Sequence, residues 1–275
     1  MSDVFFGYSI LNYFVSIRSD FLNNLFIIIT DLGSMQLYLI LFSFFFLIFE
    51  DRITLKLLTL LIISYLTNSI LKNIFKFPRP DEKIVKPIYT ESGGGYGFPS
   101  GHSQNSTVLW IGLYLTFRKN YLMIISIVLI TLISISRLYL GLHFLFDVVG
   151  GIFIGLLILL FCFKYMDKFI EKLLSLNFGI ILIVSIILLL SSFFIKEFSL
   201  ILNSFSGILI GVNLSKNFNY VKLDFKKVLY RIFICYSIFF CLIYLIKITN
   251  LNFIYFFIGL WITYFSRLIF RKIGI

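Results

Sequence analysis

Apolar runs recur along this chain with only short polar breaks, at 33–49, 53–71, 102–117, 121–139, 145–163, 174–195, 198–214, 231–246 and 252–267. At about 1.5 Å per residue, runs of roughly 17 to 20 residues cross a hydrocarbon core about 30 Å thick as helices. They lack the alternating polar positions of a membrane barrel, and a backbone facing lipid must satisfy its own hydrogen bonds, so helices are the expected element. The pattern predicts an all-α, polytopic transmembrane helical bundle of about nine spans. The stretch 4–17 is apolar but shorter, with no basic leader and no clear small-residue cleavage site, and predicts an interfacial N-terminal helix. The expected organisation is N-terminal interfacial helices over 1–32, a core of five spans over 33–172 and a C-terminal extension of about four spans over 173–275.

Composition agrees with the pattern. Hydrophobic residues make up 60% of the chain and charged residues 13%, with a mean hydropathy of +1.00, where a soluble domain carries roughly 25% charged residues. The net charge of +11 has no soluble basic module behind it, which argues against nucleic acid as a partner. Cys162, Cys235 and Cys241 all lie inside apolar runs and read as small hydrophobes rather than disulfide partners or metal ligands.

The distribution of charge says more than its sum. If the spans are as predicted, one set of turns holds Arg52, Lys56, Arg118, Lys119, Lys164, Lys168, Lys172, Lys216, Lys222, Lys226, Lys227, Arg231, Arg267, Arg271 and Lys272. The opposite set holds Arg18, Lys76, Lys83, Lys86, Lys196 and Lys247, besides three cations considered below. Cytoplasmic loops are enriched in Lys and Arg, so the first set is expected inside and the second outside.

One loop differs from the rest. Residues 72–101 contain all four prolines of the chain, Pro78, Pro80, Pro87 and Pro99, and the run Gly93-Gly94-Gly95-Tyr96-Gly97. Long ordered loops in compact domains usually carry function. This one opens with Lys72 and Arg79-Pro80 and closes with Pro99-Ser100-Gly101-His102, at the start of a span. A second polar cluster, Ser136-Arg137 through His143 to Asp147, bridges two later spans, and counting spans puts both clusters on the same, sparsely basic face.

Three cations, the chain's two histidines and a carboxylate therefore converge at one membrane surface, and phosphate suits that set. Arginine offers a planar fork to phosphate oxygens, lysine adds a point charge, and amides at a helix N-terminus, such as those after Ser100 and Gly101, bind anions. His143 and Asp147, four apart, share a helix face, so the carboxylate can hold the imidazole's tautomer and leave its other nitrogen free to attack. His102 is available to protonate a leaving alkoxide. Structural histidines, a His143/Asp147 metal site and snorkelling cations are the competing interpretations. With only one further histidine, no thiolate and much positive charge nearby, a metal is not expected. Lys76, Lys83, Lys86, Asp81, Glu82 and Glu91 read as solvated loop charges.

Lys72 through six residues to Arg79-Pro80, then Pro99-Ser100-Gly101-His102, then Ser136-Arg137 through five to His143 and three more to Asp147, closely resembles the three-part signature of the type 2 phosphatidic acid phosphatase superfamily, also called lipid phosphate phosphatases. The resemblance covers roughly residues 20–165 and not the later spans. It implies an integral membrane, bacterial-type member whose phosphatase core is the 33–172 segment. It implies a reaction without metal or cofactor, in which His143 attacks phosphorus to form a phosphohistidine, Asp147 supports it, and His102 protonates the leaving group before water hydrolyses the intermediate. Lys72, Arg79, Ser100, Gly101 and Arg137 would hold the phosphate oxygens.

The expected function is hydrolysis of a lipid phosphate monoester or diphosphate, such as undecaprenyl diphosphate, phosphatidic acid, phosphatidylglycerol phosphate or lipid A phosphate. The expected place is the cell (inner) membrane, with the site facing the extracytoplasmic side. A phosphotransferase using the same intermediate and a non-catalytic lipid or anion transporter stay open. Polar Asn203 and Asn213 in one span suggest that the C-terminal spans line or gate lipid entry, and Tyr96 and Phe98 are candidates to guide a lipid chain. Sequence leaves the oligomeric state open.

Overall fold

The computed structural model describes residues 7–216, 218 and 225–274, and among these every regular element is helical. In chain order the helices are α1 (Ser9–Ser16), α2 (Asp20–Asp31), α3 (Met35–Ile48), α4 (Asp51–Phe75), α5 (Gly101–Phe117), α6 (Asn120–Tyr139), α7 (Leu145–Ser175), α8 (Phe178–Phe194), α9 (Ser199–Leu214), α10 (Phe225–Thr249), α11 (Ile254–Leu260) and α12 (Ser266–Ile273). A π turn at Trp261–Phe265 joins the last two.

Each predicted apolar run falls on a helix. Among the described residues six helices are long and apolar enough to cross a membrane, or seven if α2 and α3, bent by 51° at the break between them, form one span. α5 and α8 have 17 residues each, at the lower limit of what crosses a core roughly 30 Å thick at about 1.5 Å per residue. The first half of α5 is polar besides. α3 has only 14 residues, so the run at 33–49 reaches spanning length only together with α2. Large apolar side chains such as Phe153, Leu160, Phe161, Ile183 and Phe233 face outward, which fits lipid rather than water around them. The chain is a multi-pass membrane protein.

The described chain forms two compact units. One combines the chain up to Ile40 with Leu55–Asp167, and the other combines Leu41–Thr54 with the chain from Lys168 onward.

In the first unit, α5 and α6 pack against each other across the two-residue turn Arg118-Lys119, and α1 and α2 both pack on α6. Ser19 caps α2 by accepting from the Leu22 amide at 3.3 Å, satisfying an otherwise unpaired first-turn donor. The stretch expected to be an interfacial helix forms α1, whose Leu11 is buried with Val85, Leu138, Phe144 and Val148. Residues 4–6 of that stretch lie outside the described residues. Close approach of α7 to α5 depends on absent side chains: a Cβ at Gly151 would stand 2.6 Å from the Ser100 carbonyl oxygen, and one at Gly155 2.8 Å from that of Gln104. Small residues four apart on a membrane helix permit such contact between backbones. Lys56 donates to Asp167 at 2.8 Å, which ties an early turn of α4 to a late turn of α7.

In the second unit, α9 packs on α8 and on α11, and on α11 by the same device, since a Cβ at Gly207 would meet the Phe256 oxygen at 2.0 Å. Asn203 and Asn213, the polar groups that suggested a lipid gate, spend amide protons on the carbonyls of Asn252 at 3.0 Å and Leu176 at 3.2 Å. They fasten α9 to neighbouring turns. Asp51 accepts from both terminal nitrogens of Arg267, at 2.8 Å from Nη1 to Oδ2 and closer still from Nη2 to Oδ1. The three cysteines are free thiols.

Candidate active site

Five elements of the first unit bring the candidate residues together. α4 ends beside Lys72; the proline- and glycine-rich loop carries Arg79; α5 opens at Ser100-Gly101-His102; Arg137 lies in the last turn of α6. Gly141, at φ +73°, then turns the chain toward His143 and α7, whose first turn carries Asp147. That φ suits glycine because no Cβ clashes there.

His143 Nδ1 lies 3.2 Å from Asp147 Oδ2, and the same oxygen accepts from the Phe144 amide at 2.9 Å. Both side chains are buried, at 2% and 1% exposure. If Nδ1–H donates to the carboxylate, Nε2 keeps its lone pair, and Nε2 faces Arg79 Nη1 at 3.2 Å. Burial first, and then the charges of Arg79, Arg137 and Lys72, hold the His143 pKa well below the usual imidazole range. The ring is therefore neutral and able to act as a base or nucleophile across the physiological range.

The cations meet carbonyl oxygens. Arg79 donates to Gly95 O at 2.9 Å from Nε, to Gly94 O at 2.7 Å from Nη2 and to Leu142 O at 2.7 Å from Nη1. Lys72 donates to Tyr96 O. The glycine run thus serves as a collar of acceptors around two cations. Burial lowers the Arg79 pKa from its ordinary value and Asp147 opposes the shift, but a guanidinium stays charged at any physiological pH. Arg137, fully buried, donates to Thr30 Oγ1 at 2.6 Å, Ser92 Oγ at 2.9 Å and Ser92 O at 2.9 Å. Lys72, Arg79 and Arg137 all bear electrostatically on both imidazoles.

At the start of α5, the Ser100 amide donates to Asp147 O at 2.9 Å, joining the helix that carries His102 to the one that carries Asp147. The first-turn amides from Gly101 onward have no partner within the helix. A Cβ at Gly101 would press on Asn68 Oδ1 at 3.2 Å, and one at Gly33 would stand 3.1 Å from His102 Cδ2. His102 Nε2 is buried and makes no hydrogen bond among the described residues. Such a site can bind a tetrahedral oxyanion, present a neutral nitrogen to it and supply a second imidazole for proton transfer. Among the described residues no group of three or more His, Cys, Asp or Glu is placed to hold a metal ion.

Sequence reasoning singled out all eight residues of this cluster but missed the groups behind them. Asn68 Nδ2 donates to Pro99 O at 3.2 Å and to Gln104 Oε1 at 2.9 Å. Gln104 Nε2 donates to Ser64 O at 2.8 Å, and Ser64 Oγ to Asn105 Oδ1 at 2.6 Å. This buried network holds the end of α4 to the start of α5. Its signal was present, since Ser64, Asn68 and Lys72 stand at four-residue intervals inside an apolar run and so share one helix face. On the other side of the site, Arg18 donates to Lys86 O at 2.8 Å and Tyr139 O at 3.0 Å. Phe98, a candidate lipid guide, is instead packed inside, stacked on Phe146 at 4.8 Å with Phe75 and Phe77 around it. It fills the space that a side chain at Gly150 would need.

The PAP2 superfamily profile matches residues 53–171. Phosphatidylglycerophosphatase B of Bacillus subtilis is 37% identical over 116 residues, 39% of this chain and 54% of that protein. Lipid A 4'-phosphatase of Porphyromonas gingivalis is 34% identical over 113 residues, 39% of this chain and 48% of that protein. The chain spans about half the length of these curated relatives. The crystal structure of a transmembrane PAP2 type phosphatidylglycerolphosphate phosphatase from Bacillus subtilis is 32% identical, with a TM-score of 0.49 over 60% of this chain and 84% of that one. All eight candidate residues lie within the profile's range, and residues 53–171 form a PAP2 superfamily domain.

Proposed function

We infer that this chain is a metal-independent phosphatase that hydrolyses the phosphate ester of a membrane lipid through a phosphohistidine intermediate. The observation that carries the reading is the His143 imidazole held between Asp147 on Nδ1 and Arg79 beside Nε2. A phosphoryl oxygen bound by Arg79 would bring phosphorus next to the Nε2 lone pair.

Nε2 of His143 attacks phosphorus as the bond to the lipid oxygen breaks, and His102, held as imidazolium by the charge of the bound phosphate, gives its Nε2 proton to the leaving alkoxide and returns to the neutral ring. Asp147 stabilises the developing positive charge on the ring. Water then attacks the phosphohistidine, His102 takes up its proton, and inorganic phosphate leaves with His143 restored. Lys72, Arg79, Arg137 and the amides that follow Ser100 and Gly101 balance charge on the equatorial oxygens, which is where most of the rate enhancement arises.

The relatives named above are phosphatases of phosphorylated lipids, which supports a lipid phosphomonoester as substrate ahead of undecaprenyl diphosphate. Residues 33–172 form the catalytic core in this reading, and 173–275 an extension. Basic residues crowd the opposite set of turns, which supports a site on the extracytoplasmic side of the cell membrane.

The test is phosphate release in detergent from a panel of lipid phosphates, with EDTA and no added acceptor. Wild type should release phosphate from at least one of them, and His143→Ala from none. Activity that survives in His143→Ala, or that EDTA removes, would overturn the mechanism, and dependence on a second lipid would make the chain a phosphotransferase.

A further inference from the structure

Arg137 is fully buried, and a buried cation is costly unless something compensates it. The ordinary solution is a carboxylate. Among the described residues none lies within ion-pair distance of it. The carboxylate of Asp31 bears on it electrostatically, but from beyond that distance. The guanidinium is instead aimed by neutral oxygens, of which Thr30 Oγ1 at 2.6 Å is the nearest, and its Nε makes no hydrogen bond. Neutral acceptors fix a guanidinium's direction without cancelling its charge. A carboxylate in the place of Thr30 would hold it as well and would compete with phosphate.

Thr30 lies before residue 53, where the superfamily match begins. It stands in the last turn of α2, just before the 51° bend into α3. Within that bend Gly33 lies so close to the His102 ring that a side chain there would touch it. The bend thus delivers a hydroxyl to Arg137 and bare backbone to His102.

We propose that this N-terminal segment completes the phosphate site, with Thr30 as the positioning residue that aims Arg137 at a phosphoryl oxygen. The proposal rests on the function inferred above, in that the oxyanion is the phosphate of the substrate and of the product. Ser92, from the glycine loop, holds the other side of the same guanidinium.

Thr30→Val keeps the shape and removes the acceptor; Thr30→Ser keeps the acceptor. The full-length protein in detergent is assayed for kcat and KM on a lipid phosphate, for inorganic phosphate binding by titration calorimetry and for its melting midpoint. A lost hydrogen bond to a charged group predicts that Thr30→Val lowers kcat/KM about ten- to hundredfold and weakens inorganic phosphate binding. Thr30→Ser should return both to within about threefold of wild type, on the same principle. In an Arg137→Ala background Thr30→Val should add nothing, since the two act as one unit. The proposal is overturned if Thr30→Val matches wild type, if Thr30→Ser fails as badly as Thr30→Val, or if the Thr30→Val loss persists undiminished without Arg137. If Thr30→Val does not fold, the Thr30→Ser and Ser92→Ala proteins carry the test: Ser92→Ala must weaken phosphate binding while Thr30→Ser does not. A wild type that turns over no lipid phosphate, but whose inorganic phosphate binding responds to Thr30→Val, would sink the hydrolytic reading and leave the positioning role standing.

Discussion

Arg137 of the first unit and Arg267 of the second are both held by several hydrogen bonds, but to different ends. Arg267 meets both oxygens of Asp51 and adds the Phe46 carbonyl at 3.0 Å, so its charge is cancelled where it stands and its work is to join helices. Arg137 and Arg79 meet carbonyls and hydroxyls, and their charge is kept. Asparagines divide in the same way. Asn203 and Asn213 fasten helix ends in the second unit, whereas Asn68 in the first holds the turn that opens into His102. A polar residue in an apolar run thus marks a site only when its neighbours leave its charge or its lone pair uncommitted.

The sharpest way to break this contrast is to remove one member of each kind. His143→Ala and Arg137→Ala should each lower phosphate release by about a thousandfold or more, with melting midpoints little changed, because each removes an interaction made with the reacting group. Arg267→Ala should do the reverse. It should cost about 1–3 kcal/mol of stability, between the values for exposed and buried pairs, and leave turnover per folded molecule nearly intact. Comparable activity losses in Arg137→Ala and Arg267→Ala would erase the distinction.

Behind the site, Asn68→Leu strands the Pro99 carbonyl and the Gln104 side chain. Two lost buried hydrogen bonds predict a loss of about 1–3 kcal/mol and a roughly tenfold fall in kcat, read by steady-state kinetics against thermal melting. Gly151→Ala drives a methyl into the Ser100 carbonyl and should cost about 1–3 kcal/mol by overpacking, moving α5 and activity with it.

The smallest effect is one of pH. Burial and the surrounding cations depress the pKa of His143, so the protonated, inactive ring forms only below the ordinary imidazole value of about 6.5, and the acidic limb of kcat/KM should lie below it. Arg79→Gln removes one of those charges. Imidazolium then forms more readily, and the limb should move upward in pH while the rate falls. Substrate ionisation is common to both proteins, so a limb that stays put in Arg79→Gln would show that the cation does not act on His143.

Much of this was legible from one dimension. Each of the nine apolar runs lies on a helix, and Lys72, Arg79, Ser100, Gly101, His102, Arg137, His143 and Asp147 share one site. Spans are legible because hydropathy is summed locally, and the site because charges and histidines are scarce in an apolar chain. The span count was harder to read, since the length of a helix depends on where its ends find partners: α3 stops at Ile48 and reaches spanning length only through the bend from α2. The contacts of Asn203, Asn213 and Phe98 were not legible for the same reason, because each depends on what packs opposite.

By itself, then, the sequence determined that the chain is helical, that it crosses a membrane several times and which eight residues to look for at one site. Only the tertiary structure decided how those side chains are aimed. Arg137 takes its direction from a hydroxyl 107 positions away, and the Pro99 turn takes its support from an amide 31 positions away. Periodicity and composition report on residues near in sequence, while a hydrogen bond depends on positions and angles in space that folding alone sets.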